Sequence, residues 1–422
     1  MCNLNFIDLF AGGGGLSEGF VRAGYTPLAH IEMDKYACDT LKTRTAFHWL
    51  RNNNQLQKYK EYLYGKQEKE DGSRLWKQVP QEIIDTVIQS EIGEKTIENI
   101  FTKIDKLRGD REVDIIIGGP PCQAYSVVGR ARIGKAVEND PRNELYKYYV
   151  KFLERYKPKM FVFENVSGIR TAKNGQPFED LKRLVNMIGY VMEDHIQLAS
   201  EYGVLQKRQR IIIVGWQKDT KFYYPKLEKE KNKYQVLKDL FADLPNRKSS
   251  EGNLCEPIKY KKPLAKMEYL KKFKIRNGKF RFTTQHIARY NNENDRRIYK
   301  IAVDMWLNEK KRIDYSKIPF HLQRHKNKDI FLNRFQVVDP YGCCHTVVAH
   351  IAMDGHYYIY PTLNPTIENV RSITVREAAR LQSFPDDYYF EGNRSAAFKQ
   401  IGNAVPIVLA HKIALKIKRM LL

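Results

Sequence analysis

The stretch NFIDLFAGGGGLSEGF, followed by TPLAHIE, constrains the fold more than any other part of the chain. An apolar run from Asn5 to Phe10 enters a glycine loop, Ala11 to Gly15, and a helical stretch from Leu16 to Ala23 leads to a second apolar run, Pro27 to Ile31, that ends on Glu32. Strand, tight loop, helix and strand make a βαβ unit, whose crossover obliges the two strands to run parallel. Two further apolar runs, Val113 to Ile117 and Met160 to Phe163, end in loops and alternate with helical text, and Arg210 to Gly215 reads as another strand. The expectation is an α/β fold with a doubly wound, mostly parallel sheet and ligands at the carboxyl ends of its strands.

Charge and cysteine usage narrow the class. The 422 residues carry 72 Lys plus Arg against 49 Asp plus Glu, a net +23, and that excess favours a polyanion such as nucleic acid as partner. Six cysteines (Cys2, Cys38, Cys122, Cys255, Cys343 and Cys344) show no C-x-x-C pair, which argues against a disulfide framework or a Cys-rich zinc site. His345, His350 and His356 sit near Cys343 and Cys344, but their text alternates like strands, and no metal is expected. No run approaches the roughly 18 apolar residues of a spanning helix, and no basic leader opens the chain, so no membrane association and a cytoplasmic setting are expected.

Composition also suggests boundaries. From about residue 44 to 110 the text turns polar, Asn- and Lys-rich, and reads as a surface insertion, helical or disordered. Residues 1–216 with 396–422 are expected to form one domain around the glycine loop. Residues 217–395 are expected to form a smaller Lys- and aromatic-rich domain with its return segment. Thr374-Val-Arg-Glu377 spells a capping box, and Pro406 marks the start of a helix over Ile407 to Leu421.

Four segments carry chemistry. In the glycine loop, Gly12 and Gly14 allow close backbone approach to a ligand, and Glu32 is placed to accept hydrogen bonds from ribose hydroxyls, which points to a nucleoside-containing cofactor. The dinucleotide fingerprint G-x-G-x-x-G fails, since it would need glycine at Ser17 or Glu18, so NAD is disfavoured. GGPPCQAYS, Gly118 to Ser126, presents Cys122 after a rigid Pro-Pro lead-in, where a thiolate could act as nucleophile. Glu164 ends the apolar run FVFEN, where desolvation can keep a carboxyl protonated for general-acid work. In QKRQR, period-2 geometry puts Gln206, Arg208 and Arg210 on one face as a row of donors.

Taken in order, DLFAGGGG, GGPPCQAYS, DPRNEL (Asp140 to Leu145), ENV, QKRQR, RSITVREAARLQSFP (Arg371 to Pro385) and QIGNAVP (Gln400 to Pro406) resemble the motif series of the DNA (cytosine-5) methyltransferases, particularly those of bacterial restriction–modification systems. The resemblance implies an enzyme that methylates cytosine C5 within a specific double-stranded DNA sequence, using S-adenosyl-L-methionine. It implies that Cys122 attacks C6 of a flipped-out cytosine, that Glu164 holds N3 and N4, and that Arg208 and Arg210 grip the base oxygen and a nearby phosphate. Cofactor positions implied are Asp8, Phe10 against the adenine, Gly12, Gly14, Glu32 at the ribose, Met33 beside it, Pro121 behind the methyl group, Leu145, Asn403 and Val405. Gln123, Ser126, Gln206 and Thr346 fall to the substrate side, Thr346 within the target-recognition fold. The family's adenine-contacting Asp-Ile pair has only the weak counterparts Asn99-Ile100 or Asp105. Expected partners are double-stranded DNA and, functionally but without a stable complex, a restriction endonuclease, with the enzyme a monomer. The alternatives are a tRNA cytosine-5 methyltransferase and a catalytically silent DNA-binding regulator. The basic segment between Trp216 and Arg371 favours DNA over tRNA, and the intact Cys122, Glu164 and arginine set argues against the silent regulator.

Overall fold

The computed structural model describes residues 4–65, 72–121, 144–231, 233–325 and 332–422. Its centre is a seven-stranded sheet of β1 (Asn5–Leu9), β2 (Thr26–Glu32), β3 (Val87–Gln89), β4 (Ile115–Gly118), β5 (Met160–Asn165), β6 (Tyr190–Leu198) and β8 (Gln209–Gln217), in the order β3-β2-β1-β4-β5-β8-β6. The short β7 (Gln206–Lys207) pairs outside this sheet, with Cys344 and His345. Pairing from β3 through β5 is parallel, whereas β8 lies antiparallel to both β5 and β6. The chain winds outward from β1 through β2 to β3, then returns to place β4 on the other side of β1. Such a reversal opens a crevice beyond the carboxyl ends of the two central strands.

Both faces of the sheet are covered, which the period-2 pattern requires. Phe6, Ile115, Ile117, Val162, Ile212 and Val214 point to one buried layer, and their neighbours Ile7, Ile116, Phe161, Phe163, Ile211 and Ile213 to the other. On the first face lie α1 (Gly15–Arg22) and the helix Ile407–Leu421, with Leu16 and Phe20 against Ile413 and Ile417 in one cluster. The second face is covered by the helices Ile97–Arg108, Leu145–Tyr156 and Gln176–Met187.

The span 44–110 is not a mere surface insertion. It supplies β3, and its helices bury Phe47, Tyr59, Tyr62 and Leu63 in a cluster with Phe280, Phe282 and Tyr389 of the later chain. Polar composition concealed this because the buried positions are single aromatics scattered among solvent-facing lysines and asparagines.

The later chain has its own small core around the helix Glu293–Glu309, including Ile298, Tyr299 and Val303. It is stitched to the sheet by the helix Val375–Leu381. The capping box forms there, with Thr374 accepting from Glu377 N–H and the Glu377 side chain accepting from Thr374 N–H. Three arginines of this region are fully buried. Arg371 makes a bidentate pair with Glu377, with both contacts 2.8 Å. Arg380 binds Asp243 and Asp386, and Arg376 donates to the carbonyls of Thr284, Pro385 and Tyr388. Among the described residues no helix is long and apolar enough to cross a membrane.

The close approach of α1 to the helix Ile407–Leu421 rests on Gly19, where an added Cβ would lie 2.4 Å from the Ala410 Cβ. Glycine to alanine ordinarily strengthens a helix interior by up to about 1 kcal/mol. Here the sign inverts: Gly19→Ala is expected to lower the urea midpoint, with a net loss of about 1–3 kcal/mol.

Candidate active site

Immediately after β1, Phe10 takes left-handed backbone at φ 56°, and Gly12 and Gly14 follow at φ 54° and 79°. A bulky residue held there costs about 1–3 kcal/mol, so the surroundings must enforce the turn. They do so from β2: Ala11 N–H donates to the Ile31 carbonyl at 3.0 Å, and Gly12 N–H to Glu32 Oε2 at 2.8 Å. From the far end of the chain, the Tyr388 hydroxyl donates to the Gly13 carbonyl at 2.7 Å. A Cβ on Gly15 would lie 2.5 Å from the Val405 carbonyl oxygen, so the loop can seat under the Gln400–Val405 segment only as glycine.

This packing leaves a cavity of about 660 Å³ at the carboxyl ends of β1, β2, β4 and β5. Its floor is the glycine loop with Asp8, Phe10 and Gly12. One wall is Glu32 at the end of β2 with Met33 and Asp34, joined by Ser90 to Glu94 after β3. The opposite wall is Gly118 to Pro121, Leu145, Tyr148 and Glu164, and Asn403 to Val405 close the remaining side.

The carboxylates in this wall differ in their partners. Glu32 accepts three backbone N–H bonds, Gly12 on Oε2 and Met33 (2.9 Å) and Asp34 (2.8 Å) on Oε1. Burial nonetheless pushes its carboxyl above the ordinary range, so it favours ligand donors such as hydroxyls. Asp8 is buried beneath the loop, with Oδ2 3.4 Å from His30 Nδ1, and burial raises its carboxyl as well. Glu164 sits in β5 with its Oε1 2.8 Å from Arg210 Nε. That oxygen is buried and lies off the N–H direction, so it is ion-paired without being hydrogen-bonded. Gly119 must be glycine beside it, since a Cβ there would fall 2.7 Å from Glu164 Oε2. Asn165 Nδ2 donates to the Pro120 carbonyl at 3.2 Å, tying the Pro-Pro lead-in to β5.

Of the residues singled out from sequence, the cavity gathers Asp8, Phe10, Gly12, Glu32, Met33, Pro121, Leu145, Glu164, Arg208, Arg210, Asn403 and Val405. Gly14 instead caps α1. Cys122, Gln123, Ser126 and the Asp140–Asn143 part of DPRNEL lie outside the described residues. Gln206, Arg208 and Arg210 do alternate with exposed Lys207 and Gln209, but they do different work. Arg208 is buried and donates to the Val347 carbonyl (2.6 Å) and the Gly402 carbonyl (3.1 Å). Gln206 donates to the Leu381 carbonyl and accepts from Val347 N–H. Thr346 donates to the Lys207 carbonyl, and neither Gln206 nor Thr346 lines the cavity.

Asn99 and Asp105 do not reach the cavity; Asn99 is exposed on the helix Ile97–Arg108, and Asp105 pairs with Arg108 and Arg155. The position after β3 is taken by Glu91 and Ile92, which line the wall. They were not legible in the sequence because β3 is only three residues long and lies in polar text. Lys399 was also missed; its Nζ meets Asp34 Oδ2 at 2.8 Å at the cavity edge.

Known proteins resemble this chain along nearly its whole length. The family model for C-5 cytosine-specific DNA methylases matches residues 4–65 and 75–419. The type II methyltransferase M.Bpa9945I of Bacillus paralicheniformis is 38% identical over 98% of this chain and 98% of its own. Type II methyltransferase M1.HphI of Haemophilus parahaemolyticus is 28% identical over 99% of this chain and 87% of its own. In fold, a candidate DNA modification methyltransferase encoded within an E. coli prophage superposes with a TM-score of 0.64 at 23% identity, covering 99% of both chains.

The different environments of the two arginines make a testable contrast. Arg208→Lys, which cannot reach both carbonyls, is expected to lose about 1–3 kcal/mol in urea unfolding. Arg210→Lys, at the cavity wall, is expected to leave the midpoint within about 0.5 kcal/mol of the parent.

Proposed function

Because the chain belongs to the C-5 cytosine-specific DNA methylases, we propose that it methylates cytosine C5 within one double-stranded DNA sequence by covalent catalysis from Cys122, with Glu164 and Arg210 on the target base. The observation that carries this assignment is the pairing of Glu164 with Arg210 in the wall that also holds Pro121, the residue before Cys122.

S-adenosyl-L-methionine suits the cavity. The volume is in the range of small-molecule sites, the glycine loop is a cradle that side chains would fill, and Glu32 offers a desolvated acceptor for ribose hydroxyls. Phe10, Met33 and Ile92 would hold the adenine end, Glu32 the ribose, and Asn403 to Val405 the amino-acid end, with Asp8 beneath the loop and Leu145 and Pro121 on the facing wall. Bound there, the cofactor supplies an electrophilic methyl group for an activated C5.

The protein's own task is that activation, because C5 of cytosine is a poor nucleophile. Addition of the Cys122 thiolate to C6 forms a carbon–sulfur bond and moves the ring electrons toward C5. Glu164 delivers a proton to N3 and holds N4, which relieves the negative charge that addition creates. Arg210 keeps the Glu164 carboxyl oriented and approaches the base oxygen. Once C5 carries the methyl group, loss of the C5 proton to solvent expels the thiolate, and the N3 proton returns to Glu164, which restores the aromatic ring and the starting carboxyl group. None of these groups reaches a base stacked in a duplex, so the target is flipped out, at a few kcal/mol recovered through pocket and backbone contacts. The net +23 provides the phosphate attraction, and groove contacts from the basic later domain select the sequence. Thr346, Gln206 and Arg208 would then act by joining that domain to the cavity, while Gln123 and Ser126 contact the DNA beside the flipped base. We assign the protein to a type II restriction–modification pair, acting as a monomer in the cytoplasm and protecting sites that a separate endonuclease would cut.

Labelled methyl should pass to duplex DNA, and transfer to tRNA with DNA left unlabelled would overturn the assignment. Cys122→Ser should abolish transfer yet retain DNA binding. A duplex carrying 5-fluorocytosine should leave a protein–DNA adduct visible by mass spectrometry, and its absence sinks the covalent mechanism. Glu164→Gln should lower kcat by about 10²–10⁴ with DNA affinity retained in a gel-shift assay. Bisulfite sequencing of DNA from expressing cells reads out the recognised sequence.

A further inference from the structure

We propose that Asp295, His325 and His356 form a binding site for one divalent transition-metal cation of the zinc class, within the later domain and apart from the cavity described above. One potential ligand atom from each of the three residues lies within 4.8 Å of the others. Ligands about 2.0–2.2 Å from a tetrahedral ion stand about 3.3–3.6 Å apart, so small side-chain rotations close the site. Two imidazoles and one carboxylate suit zinc and its neighbours, whereas calcium and magnesium call for oxygen ligands.

The surroundings already orient these groups. Asp295 lies in the first turn of the helix Glu293–Glu309, fixed by its N–H to Asn292 Oδ1 at 2.8 Å and by a backbone hydrogen bond from Asn292 to its carboxylate. One turn on, the buried Tyr299 hydroxyl meets His356 Nδ1 at 2.9 Å and accepts from Asn291 Nδ2 at 3.3 Å. With Nδ1–H donating to Tyr299, the Nε2 lone pair is left for a metal, the outer hydrogen bond that ligating histidines usually carry. His325 is held by its backbone N–H to the Tyr315 hydroxyl, and its ring packs edge-on against His356 with centroids 5.5 Å apart. Asp354 adds a nearby negative charge. Two cations oppose a positive charge at the histidines, Arg334 at both and Arg289 at His356, while Arg289 also donates to the Ile351 carbonyl and Arg334 lies over the Tyr315 ring. His345 and His350 are outside the group, the first against the Tyr357 carbonyl and the second with Asp354. A bound ion would join three segments that are distant in sequence into one brace for the small core around Tyr299.

Full-length protein stripped with EDTA and titrated with zinc against a chromogenic chelator should bind one equivalent through this site and gain thermal stability on loading. Asp295→Asn and His325→Ala should each weaken that equivalent at least about tenfold, while His350→Ala leaves it unchanged. Should His325→Ala fail to fold by circular dichroism, the nearly isosteric Asp295→Asn decides alone. No stoichiometric zinc uptake, or uptake that Asp295→Asn leaves at the parent affinity, overturns the proposal.

Discussion

The seating of residues 12–15 beneath residues 400–405 is the contact on which the cavity depends. At Gly15 it is a backbone-to-backbone approach with no room for a Cβ, and at Gly13 the Gln400 side chain packs close to the backbone. The same logic continues along α1, where Gly19 rests on Ala410. Dispersion falls steeply with separation, so a gap of even 1 Å would forfeit much of this contact and open the wall formed by Asn403 to Val405. Tyr388 completes the seat by bonding to the Gly13 carbonyl, so the loop is held by β2 on one side and by the chain's last hundred residues on the other.

Charges are placed with equal economy. Those beside the cavity are left with capacity for a ligand, as Glu32 is by its burial and Glu164 by the misaligned contact with Arg210. Arg371, Arg376 and Arg380 each meet several acceptors, and Arg44 joins Glu18 to Asp387 behind the glycine loop. A buried ion pair adds little net stability over an apolar replacement, but losing one partner costs about 3–5 kcal/mol. Such a network therefore fixes how the later chain sits on the sheet.

Much of this was legible in the sequence where periodicity and short-range chemistry decide the outcome. The βαβ unit around the glycine loop, the capping box at Thr374 and the helix after Pro406 depend on neighbours within a few residues. Boundaries moved by a residue or two, and β5 extends through Glu164 to Asn165. The reversal of β8 was not legible, because an apolar run carries no strand direction. β3 hid in polar text, since three residues at a sheet edge take their identity from pairing with β2. Arg208 and Arg210 read alike as a donor row; only the fold turns Arg208 toward the Val347 and Gly402 carbonyls and leaves Arg210 beside Glu164.

The wall at Asn403 to Val405 has a consequence for the order in which the molecule is made. A ribosome delivers β1 and the glycine loop well before residues 403–405, with the strands, helices and small core between them emerging in the interval. Until then a nascent chain can hold its sheet yet has an open trough where the pocket belongs. A chain that stops short of Asn403 therefore lacks one side of the pocket even where every strand of the sheet is present.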